Sequence, residues 1–156
     1  GIPIVLDLIG SAYQPALKRL SAKVDSLEGG SCWVNYHGSI AFDELHHYYA
    51  EADVGLFASS CENMPIILME TMASGLPIAC SNRGPMPEML GESGVYFNPE
   101  LPEEIANALL TLIKSEQLRS KLAASSYERA QKYTWGRCAD ETFGFINSIL
   151  QTYEGK

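Results

Sequence analysis

The sequence lacks positive charge. Eleven lysines and arginines face nineteen aspartates and glutamates, for a net charge of −8 and a pI near 4.8. Phosphate backbones repel such a surface, which excludes nucleic acid as a partner. A small anion in a local pocket stays allowed, because backbone N–H groups and helix N-termini supply positive potential without side-chain charge. The four cysteines, Cys32, Cys61, Cys80 and Cys138, form no Cys-x-x-Cys pair. They read as reduced, mostly buried thiols of a cytosolic protein, not a disulfide framework. No apolar run is long enough to cross a bilayer, and no stretch has the layout of a signal peptide. Repeats and low-complexity tracts are also missing. No residues carry metal-ligand spacing: His46 and His47 are neighbours, and on a helix they point about 100° apart. The chain opens Gly1-Ile2-Pro3 without an initiator methionine and enters an apolar run almost at once, as a segment cut from a longer protein does.

What remains is an ordinary globular composition, 46% hydrophobic and 19% charged, in 156 residues. That length suits one domain with a full core. Short apolar runs alternate with helical periodicity. Strands are predicted at Ile4–Ile9, Cys32–Tyr36, Val54–Ala58, Leu76–Cys80 and Val95–Phe97. Helices are predicted over Tyr13–Leu27, over Phe42–Glu51, from Pro65 to Ser74-Gly75, and in a turn at Pro87–Leu90. From Pro102 to about Tyr153 two or three further helices are expected, the final ones, from about Ser115 on, packed against the sheet edge. Proline at a helix start and glycine just past its end bracket the fourth of these segments. The alternation specifies an α/β fold, a Rossmann-like parallel sheet flanked by helices on both faces. Ligands in such sheets bind at the carboxyl ends of the strands. That rule singles out loops at Gly10-Ser11-Ala12, Tyr36-His37-Gly38, Ser59–Met64 and Ser81–Pro87.

One stretch stands out, CENMPIILMETMASGLPIA from Cys61 to Ala79. It is almost wholly apolar, yet Glu62 and Glu70 lie in it with seven residues between them. Ile66, Ile67, Leu68, Met69, Met72 and Ala73 point in nearly every direction around the predicted helix, and a helix apolar all round is a buried one. A carboxylate there is costly unless it is hydrogen-bonded or paired. Helical side chains lean toward the N-terminus, so Glu70 is aimed at the loop Ser59–Met64. It can accept two hydroxyls there, as from the cis-diol of a ribose. Glu62 reaches the same place from the loop. The N–H groups of Asn63, Met64 and Ile66 are expected to be free for an anion, and Pro65 has none. Three readings of Glu70 stand: a ligand for something polar, one half of a structural ion pair with an arginine or lysine, or a side chain that emerges at the surface. His37, before Gly38, is either a site residue or a satisfied loop histidine. Gly10 is either a close approach to a ligand or a turn glycine.

These residues also carry a resemblance. Ala52-Asp53-Val54 through Ser59, Glu62-Asn63-Met64-Pro65, Leu68-Met69-Glu70, Met72-Ala73-Ser74-Gly75-Leu76-Pro77, Gly84-Pro85-Met86-Pro87-Glu88, Gly94 and Tyr133-Thr134-Trp135 resemble, in order, the motifs of the family 4 (group 1) retaining glycosyltransferases. The match covers nearly the whole chain. The resemblance implies one half of a GT-B fold: the single C-terminal donor-binding domain, residues 1–156, of an enzyme whose N-terminal acceptor domain is absent here. It implies transfer of a sugar from a nucleotide-diphosphate sugar to a hydroxyl acceptor, with no essential metal or cofactor. Glu70 would hold the ribose hydroxyls. Glu62 would sit at the transferred sugar as the catalytic-centre carboxylate. Asn63, Met64, Pro65 and Ile66 would line the sugar and diphosphate, with Gly10, His37 and Gly38 on the donor side and the Tyr36–Gly38 loop by the base. The sequence departs from the family at Asn63-Met64, where glycine usually precedes an aromatic or aliphatic residue. It also has no counterpart of the basic pair that neutralises the diphosphate, and Arg83 is not assigned that role. The isolated chain is therefore expected to bind donor weakly and to catalyse little. Acceptors in the family, often glycolipids or surface polysaccharide precursors, imply a cytoplasmic enzyme at the inner face of a membrane, associated peripherally. A nucleotide-sugar epimerase of the same fold and a non-catalytic nucleotide-binding module are the alternatives. A flavodoxin-like phosphate site fits less well, because Gly10-Ser11-Ala12-Tyr13 is thin in hydroxyls and glycine.

Overall fold

A computed structural model describes residues 2–27 and 29–154. Gly1, where the cut start was expected, lies outside them. The chain divides into two compact units, Gly1–Tyr48 and Tyr49–Lys156.

The first unit contains β1 (Leu6–Ile9), α1 (Gln14–Asp25), a single helical turn α2 (Gly30–Trp33) and β2 (Val34–Gly38). β1 and β2 run parallel, Leu6 beside Val34 and Leu8 beside Tyr36, and the register slips before Ile9 meets Gly38. Proline in its first turn suits α1, since the amide lost there has no helical partner. The strand expected from Cys32 begins at Val34 instead. Gly30 to Trp33 forms a helical turn, with Gly30 packed so closely under Val24 that a Cβ would fall 2.2 Å from its carbonyl oxygen.

Helix α3 (Leu45–Glu51) crosses the division into the second unit, followed by β3 (Gly55–Phe57), α4 (Ile66–Ala73), β4 (Ile78–Ser81), α5 (Met86–Leu90), β5 (Gly94–Phe97), α6 (Pro102–Ile113), α7 (Glu116–Ala130) and α8 (Trp135–Glu154). Its sheet is parallel, in the order β3-β4-β5. The expected single sheet is thus drawn as two, β1-β2 and β3-β4-β5, among the described residues. The α/β class and the helical cover stand as the sequence predicts.

β4 is central and buried at all four positions, as a strand covered on both faces must be. Alternation divides its side chains between two cores. Ile78 and Cys80 join Leu68 and Met72 of α4, Met86, Met89 and Leu90 of α5 and Ala130 of α7. Ala79 joins Phe97 of β5, Ala108 and Leu112 of α6 and Leu122 of α7. Capping fixes the helix ends. Ser115 accepts the Leu118 amide at the start of α7, 3.2 Å away. Gly75, at φ +69°, ends α4 in the left-handed conformation that glycine adopts without Cβ strain.

Further expectations are corrected. The cysteines are not mostly buried: Cys80 is buried in the core, and Cys32, Cys61 and Cys138 are exposed. Helix α4 is buried on the side of Leu68, Thr71 and Met72, but Ile66 and Ile67 are more than half exposed. Of the final helices, α7 packs into the core, whereas α8 does not pack against the sheet edge. Its described side chains are exposed, including Trp135, Phe143, Phe145, Ile146 and Tyr153.

Candidate donor-binding site

Within the second unit, the candidate residues converge where the sheet ends. β3 leads into the loop that carries Glu62, Asn63, Met64 and Pro65, and α4 follows directly. β4 leads into the neighbouring loop, and the two meet closely: a Cβ on Gly84 would lie 3.7 Å from the Glu62 carbonyl oxygen. Glycine at φ +52° suits that approach.

The entry to α4 is set by Pro65. Its φ of −79° and ψ of 74° form an inverse γ-turn, in which the Ile66 amide donates to the Met64 carbonyl at 2.9 Å. The expectation that the Ile66 amide is free is therefore corrected. The amides of Asn63, Met64, Ile67 and Leu68 have no hydrogen-bond partner among the described residues. An anion can use these, at the positive end of the helix.

Glu70 is half-buried. It lies three and four positions after Ile67 and Ile66, so the three share one helix face. That face pairs an apolar wall with a carboxylate. The ion-pair reading finds no cation: among the described residues the salt bridges involve Asp7, Glu100 and Glu141. Glu70 Oε2 instead accepts the hydroxyl of Tyr49 from α3, at 3.2 Å. Burial and then the adjacent Glu70 charge raise the Tyr49 pKa, and the hydroxyl of Thr71 offsets this in part. Tyr49 is thus protonated, and a donor, throughout the neutral range. Thr71 also seats the helix. Its Oγ1 donates to the Ile67 carbonyl at 2.7 Å, and its methyl would lie 2.5 Å from a Cβ on Gly55, so only glycine lets β3 and α4 approach this far.

Glu62 is half-buried, and Asn63, Met64 and Ile66 are exposed, while Pro65 is fully buried and anchors the turn. Arg83, the basic residue of the β4 loop, is drawn toward Asn98 Oδ1 (3.2 Å) and Glu100 Oε2 (3.6 Å).

In the first unit, Gly10, His37 and Gly38 also gather at the strand ends. The Gly10 amide donates to the Gly38 carbonyl at 2.8 Å, and Tyr36 Oη donates to the Gly10 carbonyl at 2.9 Å. Gly10 at φ +131° and Gly38 at φ +69° both need glycine. His37 Nε2 lies 2.7 Å from Asp7 Oδ1, and its ring meets Tyr48 edge-on. The His37 and Asn35 hydrogen bonds hold the Asp7 carboxyl below the ordinary range. Tyr49 and Asp7 escaped the sequence reading. Tyr49 is distant in sequence from Glu70, and no motif spacing links Asp7 to His37.

Comparison with known proteins assigns the chain to a family. Residues 3–115 match the family described as glycosyl transferases group 1. The O-antigen chain mannosyltransferase B of Escherichia coli is 26% identical over 110 residues, covering 70% of this chain and 29% of that protein. Sucrose-phosphate synthase from Thermosynechococcus elongatus superposes with a TM-score of 0.82 at 23% identity, over 94% of this chain and 39% of that one. HepE of Anabaena, solved in complex with UDP, gives 0.80 at 22% identity, over 94% and 41%. The chain spans less than a third of the mannosyltransferase, and in architecture it corresponds to half of a GT-B fold. From the match over most of its length, the chain belongs to the group 1 glycosyl transferases.

Proposed function

We propose that this chain is the nucleotide-sugar-binding half of a retaining glycosyltransferase. The complete enzyme moves a sugar from a nucleotide diphosphate to a hydroxyl acceptor. The observation that carries the reading is the order of groups around α4: Glu62 before the helix, unpartnered amides at its start, and Glu70 one turn in, held by an uncharged partner. Amides suit the diphosphate. Carboxylates suit sugar hydroxyls, with Glu70 on the ribose and Glu62 on the transferred sugar. Such a site acts by positioning the donor and by stabilising the departing diphosphate. The family supports this reading, as does the UDP carried by HepE. The O-antigen mannosyltransferase favours a surface polysaccharide or glycolipid precursor as acceptor. In this reading the enzyme works in the cytoplasm at the membrane face, associated peripherally. No helix among the described residues is long and apolar enough to cross a membrane. The acceptor domain and the cations that neutralise the diphosphate would come from the remainder of the longer protein, and no metal enters the scheme.

The test is transfer of radiolabelled sugar from UDP-, GDP- and ADP-linked donors to membrane extract by the full-length protein and by residues 1–156 alone. Transfer by the full-length protein only, abolished by Glu62→Gln, supports the reading. Donor binding without transfer points to a non-catalytic module, and interconversion of the donor sugar to an epimerase. Transfer by the fragment alone contradicts the division of labour.

A further inference from the structure

The Tyr49–Glu70 contact carries an inference beyond this assignment. A glutamate has three side-chain torsions, and freezing them on a ligand costs conformational entropy. At Glu70 one oxygen is already fixed, because Tyr49 Oη donates to Oε2 at 3.2 Å in a part-buried setting. Oε1 has no hydrogen-bond partner among the described residues. Helix α4 is anchored independently of any ligand. Helix α4 is seated on β3 through Thr71 and Gly55, and Ser74 Oγ donates to the Glu70 main-chain carbonyl at 2.8 Å. Tyrosine brings its hydroxyl on a ring with two torsions, so the tether is stiff.

We propose that Tyr49 is a positioning residue that holds Glu70 Oε2 and leaves Oε1 to receive the ribose diol of the donor. The inference rests on the reading of Glu70 given above, and its consequence is specific to the sugar. Removing the hydroxyl frees the carboxylate, which then loses torsional freedom on binding. A ligand with ribose hydroxyls feels that loss, and one without them does not.

The experiment is calorimetric titration of the full-length protein with UDP, GDP and ADP and with their 2′,3′-dideoxy counterparts. It compares wild type, Tyr49→Phe, Glu70→Gln and the double variant, with far-UV circular dichroism confirming the fold of each. Tyr49→Phe is expected to weaken the ribonucleotide that binds by about three- to tenfold, the size of one net hydrogen bond, and to leave its dideoxy counterpart unchanged. In the Glu70→Gln background it should add little. Equal weakening of both nucleotides, or full ribose discrimination in Tyr49→Phe, overturns the role of Tyr49 alone. Wild type that does not distinguish ribo- from dideoxynucleotide overturns the reading of Glu70 and this inference with it.

Discussion

Replacing Gly91 by alanine tests how the second unit holds the β4 loop against Glu62. Gly91 ends α5 at φ +59° and ψ −131°, a conformation essentially reserved for glycine. A Cβ there would fall 2.9 Å from Cζ of Arg129 and 3.0 Å from its Nη1. That guanidinium cannot simply step aside. Its Nη2 donates to the Glu88 carbonyl at 2.6 Å, and its Nε donates to the Met89 carbonyl, which also receives Tyr133 Oη. Two costs therefore combine. Backbone strain contributes about 1–3 kcal/mol, and displacing a charged donor from the part-buried Met89 carbonyl and the exposed Glu88 carbonyl contributes about 1.5–3 kcal/mol. Gly91→Ala should destabilise by about 2.5–6 kcal/mol. Gly75→Ala is the control. It has a similar φ of +69° with nothing within 4 Å of a Cβ, so about 1–2 kcal/mol of strain is expected. Urea denaturation followed by circular dichroism gives both values. Repeating Gly91→Ala in an Arg129→Met background should recover about 1.5–3 kcal/mol as coupling. Equal costs at Gly75 and Gly91, or additivity with Arg129→Met, would refute the clamp.

Three other outcomes are expected. Phe97→Ala, at a side chain 1% exposed between β5 and α6, should cost about 3–5 kcal/mol in the same assay. Burial pushes the Cys80 thiol up to about 12 from 9.0. The unfolded chain therefore ionises first, and stability should fall as pH rises from about 9 to about 12. Tyr96, pushed up to about 12 mainly by burial, steepens the fall. Cys80→Ala should flatten that limb of the urea midpoint against pH, and an unchanged limb counts against the assignment. Asp7 is depressed by its bonds to His37 and Asn35, so its contribution is present above its ordinary pKa of 3.8 and is lost as pH falls through the lower folded value. A carboxyl NMR titration should show Asp7 returning toward 3.8 in His37→Leu.

The sequence made most of the second unit legible because its signals agree there. Pro65 and Gly75 bracket α4, and the apolar run Ile78–Cys80 can only be a strand covered on both faces. The signals fail where one composition serves two environments. Ile66 and Ile67 are as apolar as Leu68 and Met72, yet the first pair is exposed beside Glu70 and the second buried beneath it. A helix apolar all round reads as buried, and nothing local reveals that one face is kept open. The same ambiguity made Cys32 and Trp33 read as strand, since short apolar runs carry no period. It also placed α8 on the sheet edge, where its apolar side chains do not lie. At the site, Glu62 and Glu70 could be picked out because charge is conspicuous in an apolar run. The Ile66 amide could not be judged, because its bond to Met64 depends on the ψ of Pro65. Tyr49 was hidden for a different reason: a tyrosine in a short helix reads as packing until a partner from another helix is seen against it.

The central claim is that Glu70 sits in an apolar helix because it binds a donor. Titrating wild type and Glu70→Gln of the full-length protein with UDP-, GDP- and ADP-sugars tests it most directly. The account predicts saturable binding of one of the three, weakened roughly tenfold or more when the carboxylate becomes an amide, with the melting temperature of the free protein unchanged. Equal binding by the two proteins would contradict it.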